Sequence, residues 1–198
     1  MMKRSRRFSG FLAVAVVTTI LLTACGSTLQ SSTVAPPPTA PSTGNSSYAV
    51  DFQIAVYYGG NAVNRQDVNF SELLDQGRPV VLNMWAGLCP PCRLEMPDFQ
   101  SVSDQFGDQV LFFGLDIGPF TNLGASEDGQ ALVQELGITY PTGTTADPAV
   151  IQDYQLLGMP TTYFVKPDGA ILRQWTGLLT EDKLTELVQE LLEASASS

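Results

Sequence analysis

The sequence predicts an α/β fold in which a central mixed β-sheet is covered by helices on both faces. Two apolar runs, 79–85 and 110–116, are separated by a helical pattern, which is typical of buried parallel strands. Two further apolar segments, 161–165 and 170–175, are joined by the turn sequence Lys-Pro-Asp-Gly and predict an antiparallel hairpin. The sheet should therefore contain both parallel and antiparallel strands.

Two elements are predicted before the first buried strand. Alternating apolar and polar residues over 49–57 indicate an opening strand that turns at Gly59 and Gly60. Residues 70–74 predict a short helical turn that ends near Gly77.

The helix between the two buried strands should pack one apolar face on the sheet. Pro97 lies within this helix and should kink it, because proline cannot donate the helical hydrogen bond. The apolar face consists of Met96, Phe99, Val102 and Phe106.

Three further helices are predicted after the second buried strand. Ser126 should cap a helix over 127–136 that stops at Gly137, and Pro148 should open a short helix after Asp147. The last helix starts at 180–182, with acidic residues at its positive end. Its core-facing stripe is formed by Leu184, Leu187, Val188, Leu191 and Leu192.

The motif Cys89-Pro90-Pro91-Cys92 directly follows the first buried strand and predicts a redox-active dithiol. This position puts Cys89 at a helix N-terminus, where the helix dipole favours the thiolate that attacks in disulfide exchange. The two prolines lack N–H donors, so the thiolate should be less stabilised than in strong oxidants, which favours a reductant. Cys92 should be the less exposed cysteine. The alternative is a static disulfide, although closing so small a loop stabilises a fold little.

Charge and composition exclude several classes of function. Outside the four basic residues of the first stretch, the chain has six basic and 20 acidic residues, a formal net charge of −14 that disfavours nucleic acid as a partner. Histidine is absent, which excludes Ser-His-Asp and Cys-His catalysis and His-ligated zinc or haem. A single C-x-x-C lacks the other two ligands of a zinc site. We therefore expect no metal and no cofactor beyond a redox-active disulfide.

The N-terminus has the layout of an export signal followed by a tether. Residues 1–24 combine a basic start with an apolar stretch too short to span a bilayer comfortably, which predicts a signal peptide. The sequence Leu-Thr-Ala before Cys25 resembles the bacterial lipobox, in which the cysteine is lipidated and becomes the first mature residue. The alternative is a simple cleaved signal with an incidental Cys25. Residues 25–47 predict a disordered Ser/Thr/Pro-rich tether, and 48–198 form the folded domain.

Three features together resemble the thioredoxin fold. They are the Cys-Pro-Pro-Cys motif after a strand, the proline in the following helix and the later Gly-Met-Pro-Thr sequence. More narrowly, the chain resembles the membrane-anchored extracytoplasmic thiol-disulfide oxidoreductases of the TlpA and ResA type, over roughly 50–192. The resemblance implies a cis peptide before Pro160 that faces the disulfide, and Asn83 where thioredoxin has a buried aspartate. It implies four catalytic residues, Cys89, Cys92, Glu95 and Pro160. Four substrate-binding residues are expected beside them, Trp85, Leu88, Met159 and Thr161.

Glu95 has a second interpretation, an ordinary solvated carboxylate on the helix surface. Two departures from the family pattern bear on mechanism. Leu88 stands where the family usually has tryptophan, and no lysine lies near Phe112 to match the buried lysine of thioredoxin. Residues 140–145 are candidates for the rim of the active site.

The resemblance implies protein thiols and disulfides as substrates, including apocytochrome c cysteines, and a membrane electron donor of the CcdA or DsbD type. Three alternatives remain. A dithiol oxidase or isomerase would use the same fold and motif. A peroxiredoxin-like peroxidase would need threonine at Ala86. A lipoprotein binding module or redox sensor would use the fold without turnover.

Overall fold

The computed structural model describes residues 48–59 and 62–197. Its first half contains β1 (Gln53–Tyr58), β2 (Asp67–Asn69), α1 (Phe70–Leu74), β3 (Val80–Trp85), α2 (Pro90–Phe106) and β4 (Leu111–Asp116). Its second half contains α3 (Gly118–Thr121), α4 (Ser126–Leu136), β5 (Thr142–Thr144), α5 (Val150–Asp153), β6 (Thr161–Val165), β7 (Ile171–Thr176) and α6 (Glu181–Ala196).

The strands of this described region form one mixed sheet in the order β2-β1-β5-β4-β3-β6-β7. Strand β4 is parallel to both of its neighbours, β3 and β5, and the other pairings are antiparallel. The predicted α/β class, the parallel pair and the antiparallel hairpin are therefore confirmed.

Helices cover both faces of the sheet, because alternate residues of each central strand point to opposite sides. In β3, Val81 and Trp85 pack against α2, α4 and α6, whereas Leu82 and Met84 pack against α1 and α5. All six residues of β3 are buried, as the continuous apolar run predicts. Asn83 is the polar exception in this strand, and its burial matters for the site below.

Two helix starts differ from the sequence prediction. Ser126 is the first residue of α4 and does not cap it. The cap is Ala125, whose N–H is bonded by Asp128 at 2.8 Å, so the third helical residue satisfies the backbone instead. Helix α5 begins at Val150, because Asp147 bonds the N–H of Ala149 in a turn that precedes the helix.

Strands β2 and β5 were not predicted, since each has only three residues and neither shows an alternating pattern of useful length. Residues 142–144 form β5 between β1 and β4, in the interior of the sheet. The prediction that 140–145 line the rim of the active site is therefore wrong. This segment is mostly buried, with Tyr140 in the core beneath α2 and α4.

Candidate active site

The two cysteines of the C-x-x-C motif lie at the carboxyl end of β3, where α2 begins. Cys89 is the N-cap of α2 and is joined to Cys92 by a disulfide bond, with 5.3 Å between the two Cα atoms. Cys92 is fully buried and Cys89 is 3% exposed, so Cys92 is the less exposed of the two, by a small margin. Cys89, and not Cys92, lines the cleft described below, as an attacking thiolate requires.

One backbone donor serves the Cys89 sulfur at this helix N-terminus. Pro90 and Pro91 occupy the first two helical positions and have no N–H, and the N–H of Cys92 lies 3.3 Å from Cys89 Sγ. The Cys89 N–H is bonded to the carbonyl of Ala86 at 3.1 Å, which holds the turn between strand and helix. The sulfur thus receives the helix dipole but few direct hydrogen bonds.

Glu95 is buried beneath the motif, three residues after Cys92 on α2. Its Oε1 accepts a hydrogen bond from Asn83 Nδ2 at 2.8 Å, and its Oε2 accepts one from the Leu179 N–H at 3.0 Å. Burial raises the pKa of Glu95 to about 7, and the nearby Asp98 charge adds to this, while the two hydrogen bonds oppose it. The alternative of a solvated surface carboxylate is therefore wrong.

A cleft of about 350 Å³ opens beside Cys89. Its walls carry no charged side chain, and three segments form them: the start of α2, the end of α3 with the residues just after it, and α5 with the loop that leads to β6. Leu157 stands at the edge of the cleft with 90% of its surface exposed. The other lining residues are Pro90, Pro91, Thr121, Leu123, Ile151, Leu156, Gly158 and Met159.

The peptide bond between Met159 and Pro160 is cis, as expected. This turn is held from both sides. The carbonyl of Pro160 accepts a hydrogen bond from the Gly177 N–H at 2.8 Å, and Thr161 Oγ1 bonds the carbonyl of Gly158 at 2.8 Å. The turn therefore presents Met159 to the cleft beside Cys89.

Comparison with known proteins agrees with this geometry. Residues 47–174 match the AhpC/TSA family. The chain belongs to this family. The ResA thiol-disulfide oxidoreductase of Oceanobacillus iheyensis is 32% identical over 148 residues, which cover 72% of this chain and 70% of that protein. The thiol:disulfide interchange protein HelX of Rhodobacter capsulatus is 30% identical, over 62% of this chain and 66% of its own length.

A solved structure, that of StoA from Bacillus subtilis, superimposes with a TM-score of 0.57 at 20% identity, covering 72% of this chain and 98% of that one. This likeness is one of fold and confirms the thioredoxin-like architecture. The family match and the ResA relative identify the chain as an AhpC/TSA-family thiol-disulfide oxidoreductase.

Within this family member, the predicted substrate-binding residues divide into two groups. Leu88 is 59% exposed and Met159 lines the cleft, so both are accessible to a substrate. Trp85 and Thr161 are fully buried, so their side chains are not exposed at the cleft. Their substrate-binding role stays a prediction. Trp85 packs in the core under α2 and α4, and Thr161 fixes the turn before the cis proline.

Two residues near the site were not singled out from the sequence. Leu157 is the most exposed large apolar residue of the described region, yet nothing in a Leu-Leu-Gly sequence marks it as part of a cleft. Asp116 is a fully buried carboxylate at the end of β4, opposite Trp85 in the parallel register. A lone acidic residue that ends an apolar strand is the one signal that could have drawn attention to it.

The predicted lipid attachment site, Cys25, and the predicted signal and tether lie outside the described residues. Among the residues that the structure describes, no group of side chains could hold a metal ion, and no helix has the length and apolarity needed to cross a membrane.

Proposed function

We propose that this oxidoreductase works as a reductant of protein disulfides outside the cytoplasm, anchored to the bacterial cell membrane through lipidated Cys25. The observation that carries the proposal is the environment of the Cys89 sulfur. The sulfur has one backbone N–H donor, at 3.3 Å, whereas a helix N-terminus without prolines could offer more donors. The carboxylate of Glu95 is buried on the same helix.

Both features raise the free energy of the reduced, thiolate form. A thiolate with few hydrogen-bond donors is poorly stabilised, and a buried negative charge on the same helix adds to this. Strong oxidants owe their high reduction potential to a stabilised reduced form. A poorly stabilised reduced form instead favours a reductant. The negative charge of Glu95 destabilises the thiolate form more strongly above pH 7, where its carboxyl group is ionised.

The proposed reaction starts from the dithiol form. The Cys89 thiolate attacks one sulfur of a substrate disulfide, forms a mixed disulfide and releases the first substrate thiolate, which takes a proton. Glu95 takes the proton of Cys92, and the Cys92 thiolate attacks Cys89 Sγ in the mixed disulfide. The second substrate thiolate leaves, so two electrons pass to the substrate and Cys89–Cys92 becomes the disulfide.

The substrate class follows from the cleft. Its walls are uncharged and largely apolar although the domain carries a large negative charge, so the site suits a flexible polypeptide segment with apolar residues beside its cysteine. The substrates that the family resemblance implies are apocytochrome c cysteines that await haem and other protein disulfides. Restoring the dithiol then requires a membrane donor, for which a CcdA or DsbD type transporter is the expected partner.

The reduction potential of the Cys89–Cys92 pair tests the direction. The purified full chain is equilibrated in glutathione or dithiothreitol buffers, and the dithiol fraction is measured by alkylation. We expect a value more negative than about −220 mV. A value near about −120 mV would make the protein a dithiol oxidase or isomerase and would refute the proposed direction. A full chain that binds a partner protein but reduces no disulfide would instead point to a binding module or redox sensor.

A further inference from the structure

A second buried carboxylate, Asp116, lies behind the wall of the cleft. Its Oδ1 accepts a hydrogen bond from the Gly118 N–H at 2.9 Å, and its Oδ2 accepts one from the Tyr57 hydroxyl at 3.0 Å. No salt bridge joins Asp116 to a basic side chain of the described residues. A buried carboxylate held by two neutral donors is unusual, because burial penalises its charge.

Two glycines leave the space that this carboxylate occupies. A Cβ atom at Gly129 would lie 2.0 Å from Asp116 Oδ2, and one at Gly118 would lie 3.0 Å from Oδ1. Any larger residue at Gly129 would collide with the carboxylate. The start of α4 and the start of α3 are thus both fitted around Asp116.

Asp116 is linked to Cys89 through the segment 117–124, which we name the cleft wall. The carboxylate fixes the wall at its first turn, through the Gly118 N–H. Further along, Thr121 and Leu123 line the cleft, and the carbonyl of Leu123 accepts a hydrogen bond from the Leu88 N–H at 2.8 Å. Leu88 directly precedes Cys89, so the wall forms one side of the cleft and also holds the segment that leads into the redox motif.

The structure does not need the negative charge of Asp116 for packing. Asparagine has the same shape, could accept from the Gly118 N–H, and could donate its amide to the Tyr57 oxygen. The ionised form carries a cost, since burial raises the pKa of Asp116 to about 6. Two titratable groups face it: Tyr57 on β1 donates a hydrogen bond that opposes the rise, and the charge of Asp128 on α4 adds to it. A carboxylate that is ionised despite the free-energy cost of burial is typical of functional sites.

We propose that Asp116 is a positioning residue for disulfide exchange: its ionised carboxylate holds the cleft wall in the form that docks polypeptide substrates, and protonation loosens this wall. Hydrogen bonds to an ionised carboxylate are about twice as strong as those to a neutral group. The protonated form therefore holds the Gly118 N–H more weakly. This inference depends on the exchange activity of the family but not on its direction.

The test compares the full chain with Asp116→Asn between pH 5 and pH 8, using a peptide disulfide whose cysteines have apolar neighbours. At pH 8 we expect the variant to raise KM on the order of threefold to tenfold, the effect of weakening one hydrogen bond, with kcat unchanged. At pH 5 the ratio of the two KM values should approach one, because Asp116 is then protonated in the unaltered chain as well. Turnover of a small aromatic disulfide, which does not need the wall, should be unaffected.

Two further variants separate the charge from the wall. Gly118→Ala places a Cβ 2.9 Å from the carbonyl oxygen of Gly124 and 3.0 Å from Asp116 Oδ1, so it displaces the wall while the ionisable carboxyl group stays in the chain. It should raise KM at every pH and keep the dependence on pH. Asp128→Asn is the matched control: it removes a nearby charge but not Asp116, so it should move the midpoint of the KM profile to lower pH without flattening it.

A KM ratio of one at pH 8 would overturn the proposal. So would an equal effect on the small disulfide, since Asp116 would then act on the sulfur atoms, and so would unfolding of Asp116→Asn at pH 8, since the charge would then be structural. The assay is run both as disulfide reduction and as oxidation of the same peptide dithiol. If only oxidation proceeds, the proposed reductase function fails, while the KM ratio for oxidation still decides the role of Asp116.

Discussion

Replacing Glu95 with glutamine should stabilise the folded protein at pH 8 and leave it unchanged near pH 4. The carboxyl group is fully buried, and its pKa lies at about 7 in the folded protein against an ordinary value of 4.5. Below pH 4.5 both the folded and the unfolded chain bind the proton, so the buried group costs nothing there. As the pH rises towards 7 the unfolded chain loses its proton first, and the folded state becomes progressively less favourable.

The magnitude follows from the difference between the two pKa values. A gap of about 2.5 between 4.5 and about 7, at roughly 1.4 kcal/mol for each pH unit, corresponds to about 3 kcal/mol above pH 7. Glutamine carries no such cost. It can accept from the Leu179 N–H and, after rotation of the Asn83 amide, donate to Asn83 Oδ1, while the Thr162 hydroxyl, which accepts from Asn83 Nδ2 at 3.0 Å, turns to donate to the same oxygen.

The assay is denaturant unfolding of the disulfide form at pH values from 4 to 8, so that thiol ionisation does not contribute. The free energy of unfolding of Glu95→Gln minus that of the unaltered chain should rise from near zero to about 3 kcal/mol across this range. Asp104→Asn, on the exposed face of the same helix, is the control and should keep the pH dependence because Glu95 is still present. A Glu95→Gln variant that is equally destabilised at every pH would refute the reasoning, since the cost would then not come from ionisation.

Four other substitutions test the site and its support. Leu157→Ser should lower kcat/KM for a peptide disulfide several-fold without changing Tm, because this side chain is 90% exposed at the edge of the cleft, and an unchanged kcat/KM would remove it from docking. Gly129→Ala should lower the free energy of unfolding by about 1–3 kcal/mol in denaturant titrations, because its Cβ would lie 2.0 Å from Asp116 Oδ2; a neutral effect would mean that α4 can shift freely. Cys92→Ser should accumulate a mixed disulfide with the peptide on non-reducing gels and Cys89→Ser should not, and the reverse pattern would exchange the roles of the two sulfur atoms.

Local patterns predicted most of the fold correctly. The apolar runs of β3 and β4, the hairpin of β6 and β7 and the stripe of α6 were found because a strand or helix buried in a core repeats its apolar residues at a fixed period. Strands β2 and β5 were missed because three residues carry no period. Their conformation depends on pairing with β1, which is distant in sequence.

The site likewise combines features that the local sequence predicts with features that only the tertiary structure sets. The C-x-x-C motif and the Met159–Pro160 turn are visible in the sequence because the chemistry needs those residue types at that spacing. Burial is not visible there. Trp85 is an aromatic residue close to the motif in sequence, yet its side chain is fully buried in the core.

The sequence by itself determined the redox chemistry, the exclusion of histidine-dependent mechanisms and the class of fold, because each depends on residue identity and short-range order. Only the tertiary structure decided that Glu95 and Asp116 are buried carboxylates and that an uncharged cleft lies beside Cys89. The physical reason is that a pKa and a docking surface depend on desolvation and on neighbours from several elements. Asn83 and Leu179, which bond Glu95, come from β3 and from the loop before α6, and folding alone brings them together.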